Sequence, residues 1–294
     1  MTAPTDRGIP VDHILLTRFN LPTGGVEACI RASESWLTNR WALFERYCAP
    51  SVAAQTTTDF TWIIYFDPES PDWLKRAIMP YTAQGLFQPV FRAEVPTDVL
   101  ISDVRNVARH REGMLLTTNL DNDDGIATDF MQRLRDAVVF DDRRALYLTN
   151  GLIKGPDGVY LRRDPENAFC SVAAPWSDPS TSWDDWHIML GRTMPVIELG
   201  GTPGWLQVVH GENVSNRVRG RLTSPHAWTA RFPGLLDDMA DPGTARIVRD
   251  RAVAAPARWL RDTGRAGMRR LAIALLGKDG MQRLKARLTA RGRT

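Results

Sequence analysis

Short apolar runs alternate along the chain with longer segments in which apolar residues recur at helical spacing. The short runs predict buried strands, because they are rich in β-branched, aromatic and aliphatic residues and are bounded by turn residues. These runs are His13–Phe19, Thr61–Phe66, Gln88–Arg92 and Met114–Asn119. The segments that predict helices are 35–55, one that begins near 72, 98–109 and 127–139. Strands that alternate with helices predict an α/β fold with a mostly parallel sheet flanked by helices.

The second half of the chain has shorter apolar runs. Arg144–Thr149 and Val159–Arg162 predict strands, and Gly155-Pro156-Asp157-Gly158 between them is typical of a hairpin turn. Trp205–Val209 predicts one more strand. We therefore expect further β or mixed structure after the parallel part of the sheet.

The composition is that of a folded protein whose charge is unevenly distributed. The 294 residues are 43% hydrophobic and 24% charged, with a formal net charge of +3. Residues 245–294 hold 12 Arg and 2 Lys against 3 Asp, so they carry +11 and residues 1–244 carry −8. We therefore divide the chain into a domain at 1–240 and a basic helical tail at 241–294.

The tail has apolar residues at helical spacing from Met268 to Leu288, with Arg and Lys around them. A basic amphipathic helix of this kind binds an anionic membrane surface, and the alternative is that it packs on the acidic body. The chain shows neither a signal-peptide pattern nor a run of about 18 apolar residues. We therefore expect a cytoplasmic protein, peripheral at the inner face of the plasma membrane if the tail binds lipid. No nucleic-acid partner is expected, because an acidic body repels phosphates.

Three carboxylates follow the predicted strand at Met114–Asn119. Asp121, Asp123 and Asp124 are expected at the carboxyl end of that strand, where open α/β sheets bind ligands. Carboxylates this close repel each other unless a cation lies between them, and Mg²⁺ and Mn²⁺ prefer oxygen ligands. The alternative is a solvated acidic turn that caps the next helix. An EF-hand loop is excluded, because Asp124 replaces its turn glycine and Phe130 its bidentate glutamate.

A second feature lies upstream of the carboxylates. The pair Arg105-Asn106 precedes the strand, and Asn106 lies fifteen positions before Asp121. Together with 120–124 (LDNDD), this spacing resembles the GT-A glycosyltransferases, which have a Rossmann-related fold and a DXD motif that binds metal and diphosphate. The nucleotide-binding residues that the resemblance implies are Arg105, Asn106, Asp121 and Asn122, and the ligands of Mn²⁺ or Mg²⁺ are Asp123 and Asp124.

Four segments resemble the bacterial putative rhamnosyltransferase family, over roughly residues 12 to 220. They are 13–20 (HILLTRFN), 60–67 (FTWIIYFD), 120–124 and 205–211 (WLQVVHG). The resemblance implies transfer of a hexose or deoxyhexose, with rhamnose suggested by the family name, from a nucleoside diphosphate sugar to a cell-envelope glycan or glycolipid. Arg18 and Asn20, where the first strand ends, are expected to contact the nucleotide.

Two later segments supply further candidate residues. Asp184 and Asp185, between Trp183 and Trp186, resemble the acidic motif that provides the base of inverting GT-A enzymes, and a helix cap is the alternative. His210 is a candidate third metal ligand or a structural histidine. Arg217 is a candidate diphosphate contact or a surface arginine.

These features predict a metal-dependent glycosyltransferase, which inverts the sugar if Asp184 or Asp185 acts as the base. One alternative is a catalytically silent protein that binds nucleotide sugars on the same fold. Another is a membrane-associated interaction protein in which the tail is the functional part.

Overall fold

The computed structural model describes residues 8–22, 34–140, 142–210, 218–258 and 260. The described strands are β1 (Val11–Arg18), β2 (Thr61–Phe66), β3 (Gln88–Phe91), β4 (Met114–Asn119), β5 (Gly125–Ile126), β6 (Arg144–Leu148), β7 (Asn150–Gly155), β8 (Gly158–Arg163), β9 (Ser171–Pro175), β10 (Val196–Leu199), β11 (Trp205–Val208) and β12 (Arg221–Thr223). The α-helices are α1 (Glu34–Leu43), α2 (Ala49–Ala53), α3 (Asp72–Ala83), α4 (Thr97–Val107), α5 (Phe130–Arg135) and α6 (Gly243–Arg249). Asp250–Ala254 and Phe44–Cys48 are π-helical turns, and Leu190–Arg192 and Pro225–Ala227 are 3₁₀ turns.

Seven strands form the larger sheet, in the order β10-β6-β9-β4-β1-β2-β3. The neighbours β4, β1, β2 and β3 are parallel, and so are β6 and β10. Strand β9 is antiparallel to both β4 and β6. The predicted α/β class with a mostly parallel sheet is therefore confirmed.

The central strands of this sheet are covered on both faces. In β1, Leu15 packs into one apolar cluster with residues of α1 and α3, whereas Ile14 and Leu16 pack into another with α4. All three side chains are at most 1% exposed. Burial on both faces explains the continuous apolar run in the sequence, since no face of the strand is left to water.

A second sheet of five strands has the order β12-β8-β7-β11-β5. Its hairpin between β7 and β8 turns at the predicted Gly155–Gly158 segment. Strand β11 pairs in parallel with β7, and on its other side it is antiparallel to β5, which directly follows the aspartates. This sheet therefore connects the carboxylate segment to the strand that leads to His210.

The first helical segment is longer and less regular than a simple amphipathic helix. It runs from α1 through the π-helical turn into α2, and the Ala49 N–H donates to the carbonyl of Phe44, five residues earlier. Pro50 lies within this helical segment, and the helix continues beyond it to Ala53. The widened turn accommodates the proline, which lacks an N–H and would clash with a regular preceding turn.

Two other helices are shorter than predicted. The segment 127–139 contains only α5, because β5 occupies the positions just before it, and the helix expected at 98–109 ends at Val107.

The residues between α6 and 258 contact the body: the buried Asp250 carboxylate accepts from Leu222 N–H and pairs with Arg258. Among the described residues, no helix is both long and apolar enough to cross a membrane. The domain boundary at 240/241 stays a prediction, as does the helix at 265–291, which lies outside the described residues.

Candidate active site

The carboxylate segment lies at the carboxyl edge of the larger sheet, between β4 and β1. Leu120 is fully buried, its N–H donates to the carbonyl of Leu16, and its own carbonyl accepts from the Thr17 hydroxyl at 2.8 Å. Asn122 is buried as well, and its amide nitrogen donates to the carbonyls of Arg18 and Phe19 at 3.0 and 2.7 Å. These bonds hold the segment against the end of β1. The Asn122 side chain therefore positions the loop, because its amide N–H groups donate to backbone carbonyls.

Asp123 is almost completely buried but is strongly paired. Its Oδ2 atom contacts the guanidinium of Arg40 from α1 and lies 3.0 Å from Nε2 of His210. Burial acts to raise the pKa of Asp123, but the hydrogen bond from His210 and the charge of Arg40 outweigh it, so the pKa is lowered. Asp123 is therefore held as a carboxylate.

Asp124 has the opposite environment. Its Oδ1 accepts from Val208 N–H of β11 at 2.8 Å, whereas its Oδ2 is buried without a hydrogen-bond partner among the described residues. Burial, followed by the charges of Asp123 and Asp121, raises the pKa of Asp124 well above its usual value. A buried carboxylate oxygen without a donor is costly, and a bound cation is one way to satisfy it.

Asp121 lies on the outer side of the cluster, where its residue is exposed. Its Oδ1 accepts from the side-chain amide of Asn119 at 3.3 Å. Desolvation of its carboxylate by neighbouring protein atoms, followed by the charge of Asp123, raises the pKa of Asp121. The charges of His187 and Arg18 act to lower it. The three aspartates therefore form one connected patch of negative charge bordered by cations.

Arg18 and Trp183 form a second part of the site beside Asp121. The Arg18 guanidinium lies 4.0 Å from the centre of the Trp183 ring, which in turn packs on Tyr65 at 5.5 Å. The Trp183 indole N–H donates to Asn119 at 2.7 Å, and Asn119 also contacts Asp121. The predicted nucleotide residue Arg18 is thus brought to the cluster, together with an aromatic ring that the sequence did not single out.

The two candidate bases have different surroundings. The Asp184 carboxylate is used by its own loop: it accepts from Ser180 Oγ, from Thr181 N–H at 3.0 Å and from Thr181 Oγ1 at 2.6 Å. The Oδ1 atom of Asp185 accepts from the next N–H in the chain, that of Trp186, at 2.7 Å. The next described helical element after Asp184 is the 3₁₀ turn Leu190–Arg192, so Asp184 closes the turn that begins at Thr181 and does not cap a helix. Asp185 is the better candidate base of the two.

Two predicted nucleotide residues lie at the opposite edge of the sheet. Arg105 and Asn106 lie in the last turn of α4, and the Arg105 guanidinium is 5.5 Å from the Trp176 ring, whose N–H donates to Asp12. Asp12 lies near the start of β1, and β4 alone spans roughly 20 Å from that edge to the aspartates. A helix that connects two parallel strands runs in the direction opposite to the strands. The last turn of α4, which carries Arg105 and Asn106, therefore lies at the edge of the sheet away from the aspartates.

Asn20 lies two residues beyond the end of β1, at the same edge of the sheet as the aspartates. It is buried, and its side chain accepts from Asp67 N–H and donates to Ser70 Oγ, both at 3.1 Å. It therefore joins the ends of β1 and β2. The predicted diphosphate contact Arg217 lies outside the described residues, which resume at 218.

Sequence reasoning missed Arg40, which forms an ion pair with Asp123. Its position in α1 gave no signal, because a cationic residue on a predicted helix is most often solvated. A contact across 83 positions of the chain depends on how α1 packs over the end of β1, and periodicity does not carry that information.

A family model described as "Putative rhamnosyl transferase" matches residues 12–222. The match covers well over half of the chain. Together with the acidic site at the carboxyl edge of the sheet, this match identifies the chain as a glycosyltransferase. The chain belongs to this rhamnosyl transferase family, and the resemblance predicted over residues 12 to 220 is confirmed.

Several solved structures are similar at low sequence identity. Staphylococcus aureus TarS is 11% identical, with a TM-score of 0.42, covering 67% of this chain and 37% of that one. TarS 1–349 in complex with UDP is 10% identical, TM-score 0.42, covering 67% and 60%. The inositol-1-phosphate CTP transferase from T. maritima is 8% identical, TM-score 0.36, covering 79% and 99%. The chain thus spans about a third to three fifths of the TarS chains that it matches. No curated protein sequence matches it.

Proposed function

We propose that this chain transfers a hexose or deoxyhexose from a nucleoside diphosphate sugar to a cell-envelope glycan or glycolipid, with a divalent cation bound at Asp123 and Asp124. Family membership supports the class of reaction. The observation that carries the site is the buried Oδ2 of Asp124, which lies in a patch of three aspartates and has no hydrogen-bond donor in the part of the chain that the structure describes.

The chemistry of these side chains suits Mg²⁺ or Mn²⁺. Both cations prefer carboxylate oxygens, and His210 adds a ring nitrogen beside Asp123. In the present arrangement, however, no group of three or more His, Cys, Asp or Glu side chains among the described residues is placed to hold a metal ion. The guanidinium of Arg40 is bound to Asp123 instead. When bound, the cation would neutralise charge on the leaving diphosphate.

The chain's own residues fit roles around that diphosphate. Arg18, which is exposed and lies over Trp183, is placed to contact the nucleotide beside Asp121. Asp185 is the proposed base that removes the proton from the acceptor hydroxyl, and a base opposite the leaving group gives inversion at the anomeric carbon. Asp184 instead maintains the loop that carries it.

A thermal-shift experiment tests donor and metal binding. Nucleoside diphosphates and their sugars are added to the wild type with and without Mn²⁺, and we expect stabilisation of about 2.7 kcal/mol at a hundred times the dissociation constant. Asp123→Asn should lose the Mn²⁺-dependent part. Asp178→Asn, at a side chain that is 82% exposed, is the matched control and should behave like the wild type. If no nucleotide stabilises the wild type, the proposed function is wrong.

The proposed base is tested with the two neighbouring aspartates. Asp185→Asn should retain donor binding and lower turnover by about 10² to 10⁴-fold, since general bases contribute effects of this size. Asp184→Asn should mainly lower thermal stability, because it weakens the turn at Ser180 and Thr181. Donor binding without turnover in the wild type, with every acceptor offered, would favour a catalytically silent binding protein.

A further inference from the structure

Arg40 is bound to the carboxylate oxygen that the proposed cation requires. Its Nη1 atom contacts Oδ2 of Asp123 and lies 3.3 Å from Oδ1 of Asn122. The Arg40 side chain is only 14% exposed, so this is a partly buried ion pair with little screening.

Three features hold the guanidinium in this place. Trp36, one turn earlier on α1, lies under it with 5.0 Å between the guanidinium carbon and the ring centre. Asn122, the second contact, is itself fixed by the carbonyls that end β1. The π-helical turn that follows α1 carries the buried Phe44 and Tyr47, which anchor the helix in the core. The ion pair is therefore part of the folded architecture.

The balance of charge explains why such a pair is present. Asp121, Asp123 and Asp124 bring three carboxylates together within four residues, and no described residue donates to the Oδ2 atom of Asp124. Without a counter-charge, repulsion among these groups would destabilise the folded chain. A divalent cation relieves the same repulsion, so the cation and the guanidinium are alternatives at Asp123.

We propose that Arg40 is a built-in counter-ion which a divalent cation must displace from Asp123, and which then turns to the anionic diphosphate of the donor. The inference rests on the proposed function. It means that the metal-free protein is neutralised internally, and that metal binding alone is weakened by the need to break the Arg40–Asp123 pair. Once released, the guanidinium is available to the phosphate oxygens, which it binds as well as it binds carboxylates.

The test measures Mn²⁺ binding to the full chain without nucleotide, from the electron paramagnetic resonance signal of free Mn²⁺. Arg40→Gln should bind Mn²⁺ about fivefold or more tightly than the wild type, a coupling of ordinary size between competing ligands. Arg40→Lys retains the charge at Asp123 and should stay within about twofold of the wild type. Asp123→Asn should bind Mn²⁺ more weakly than any of these.

A matched control separates direct competition from the general field of a positive charge. Arg46, in the π-helical turn, pairs with Asp238 and not with the aspartate cluster. Arg46→Gln should leave Mn²⁺ affinity within about twofold of the wild type. An equal gain in Arg46→Gln would overturn the proposal, as would unchanged or weaker Mn²⁺ binding in Arg40→Gln.

The second readout is nucleoside diphosphate binding in saturating Mn²⁺. Here Arg40→Gln should bind about fivefold more weakly than the wild type, so the two effects have opposite signs. If Arg40→Gln does not fold, Arg40→Met, which retains the apolar stem, replaces it with the same expected results. Failure of nucleotides to bind the wild type would reject the proposed function but leave the Mn²⁺ competition measurable. Absence of Mn²⁺ binding in both wild type and Arg40→Gln would reject this inference.

Discussion

Three aspartates within four residues are placed in three different electrostatic environments. Asp123 is paired with Arg40 and His210, Asp124 is buried with one oxygen that receives no hydrogen bond from the described residues, and Asp121 is on the exposed side. Identical side chains therefore make contributions of opposite sign to folding. A carboxylate that is paired supports the native state, whereas one that is buried without a partner opposes it.

Replacement of Asp124 should stabilise the metal-free protein. Asp124→Asn retains the oxygen that accepts from Val208 N–H and removes the buried charge, so we expect a gain of about 1–3 kcal/mol near neutral pH. Asp123→Asn should have the opposite effect, because it leaves Arg40 without its partner. Chemical denaturation in a chelating buffer measures both values. A destabilised Asp124→Asn variant would contradict the assignment of Asp124 as an unpaired buried carboxylate.

The same variant predicts a difference in pH dependence. The pKa of Asp124 is raised in the folded protein, so between the usual aspartate pKa of about 3.9 and that higher value the folded state binds more protons than the unfolded state. Stability contributed by this group is present at low pH and is lost as pH rises through the folded-state pKa. The advantage of Asp124→Asn over the wild type should therefore grow from acidic to neutral pH and should shrink when Mn²⁺ is added.

The strand pair β7–β11 determines where one side of the site is placed. Trp205 of β11 lies directly over Gly151 of β7, its indole N–H donates to Leu148 at 2.8 Å, and its ring stacks on Phe169. A methyl group at position 151 would lie 2.0 Å from the ring. Because β11 also carries the N–H that binds Asp124 and leads to His210, the packing of this tryptophan supports the carboxylate cluster.

Gly151→Ala should therefore weaken both the fold and the site. We expect a loss of about 2 kcal/mol or more in the free energy of unfolding, since the added methyl forces the buried ring to move. Gly200→Ala is the control, because a Cβ there meets nothing within 4 Å, and it should be close to neutral. Urea denaturation of the two variants measures the difference. Equal stability would show that Trp205 can shift without cost.

The regular elements near the site could be predicted to a large extent, but their partners could not. The apolar runs located β1, β2 and β4, and the Gly-Pro-Asp-Gly segment located the hairpin, because these signals are local. The insertion of β9 between β4 and β6 depends on long-range pairing. The spacing of Arg105 and Asn106 before Asp121 also left open which edge of the sheet they occupy, since a count of residues does not reveal where a helix ends. Arg40 belongs to the same class of long-range contacts.

Across the molecule, charge is separated between the acidic body and the basic tail. The start of the tail is held to the body by Asp250, Leu222 and Arg258, and the described part exposes Val248, Val253 and Leu260. Residues 261–294 add ten basic and two acidic residues. Exposed apolar groups together with positive charge favour the surface of an anionic bilayer. The peripheral membrane location therefore stays a prediction, and residues 261–294 are the segment predicted to bind the lipid.

Sedimentation with lipid vesicles tests that prediction. The full chain should sediment with vesicles that contain anionic lipid, much less with purely zwitterionic vesicles, and less again as salt is raised. Removal of residues 261–294 should abolish this binding while preserving the contacts of Asp250 with the body. If the shortened chain sediments as well as the full one, the tail is not the lipid-binding segment.

The π-helical turn at Phe44–Cys48 also sets the rotational phase between the two ends of its helix. Arg40 on one side reaches Asp123, whereas Gln55, just past the other end, bridges Ala127 and Met131. Each residue of an α-helix turns the chain by about 100°. The π-helical turn takes up one residue more than a regular turn, so a single-residue deletion within Phe44–Cys48 that made the helix regular would leave the two ends nearly in phase. A deletion between Arg40 and Phe44 that left the wide turn intact would instead rotate Arg40 away from Asp123 by about 100°. Such a deletion would remove no functional side chain, yet it would separate Arg40 from the aspartates as effectively as its substitution.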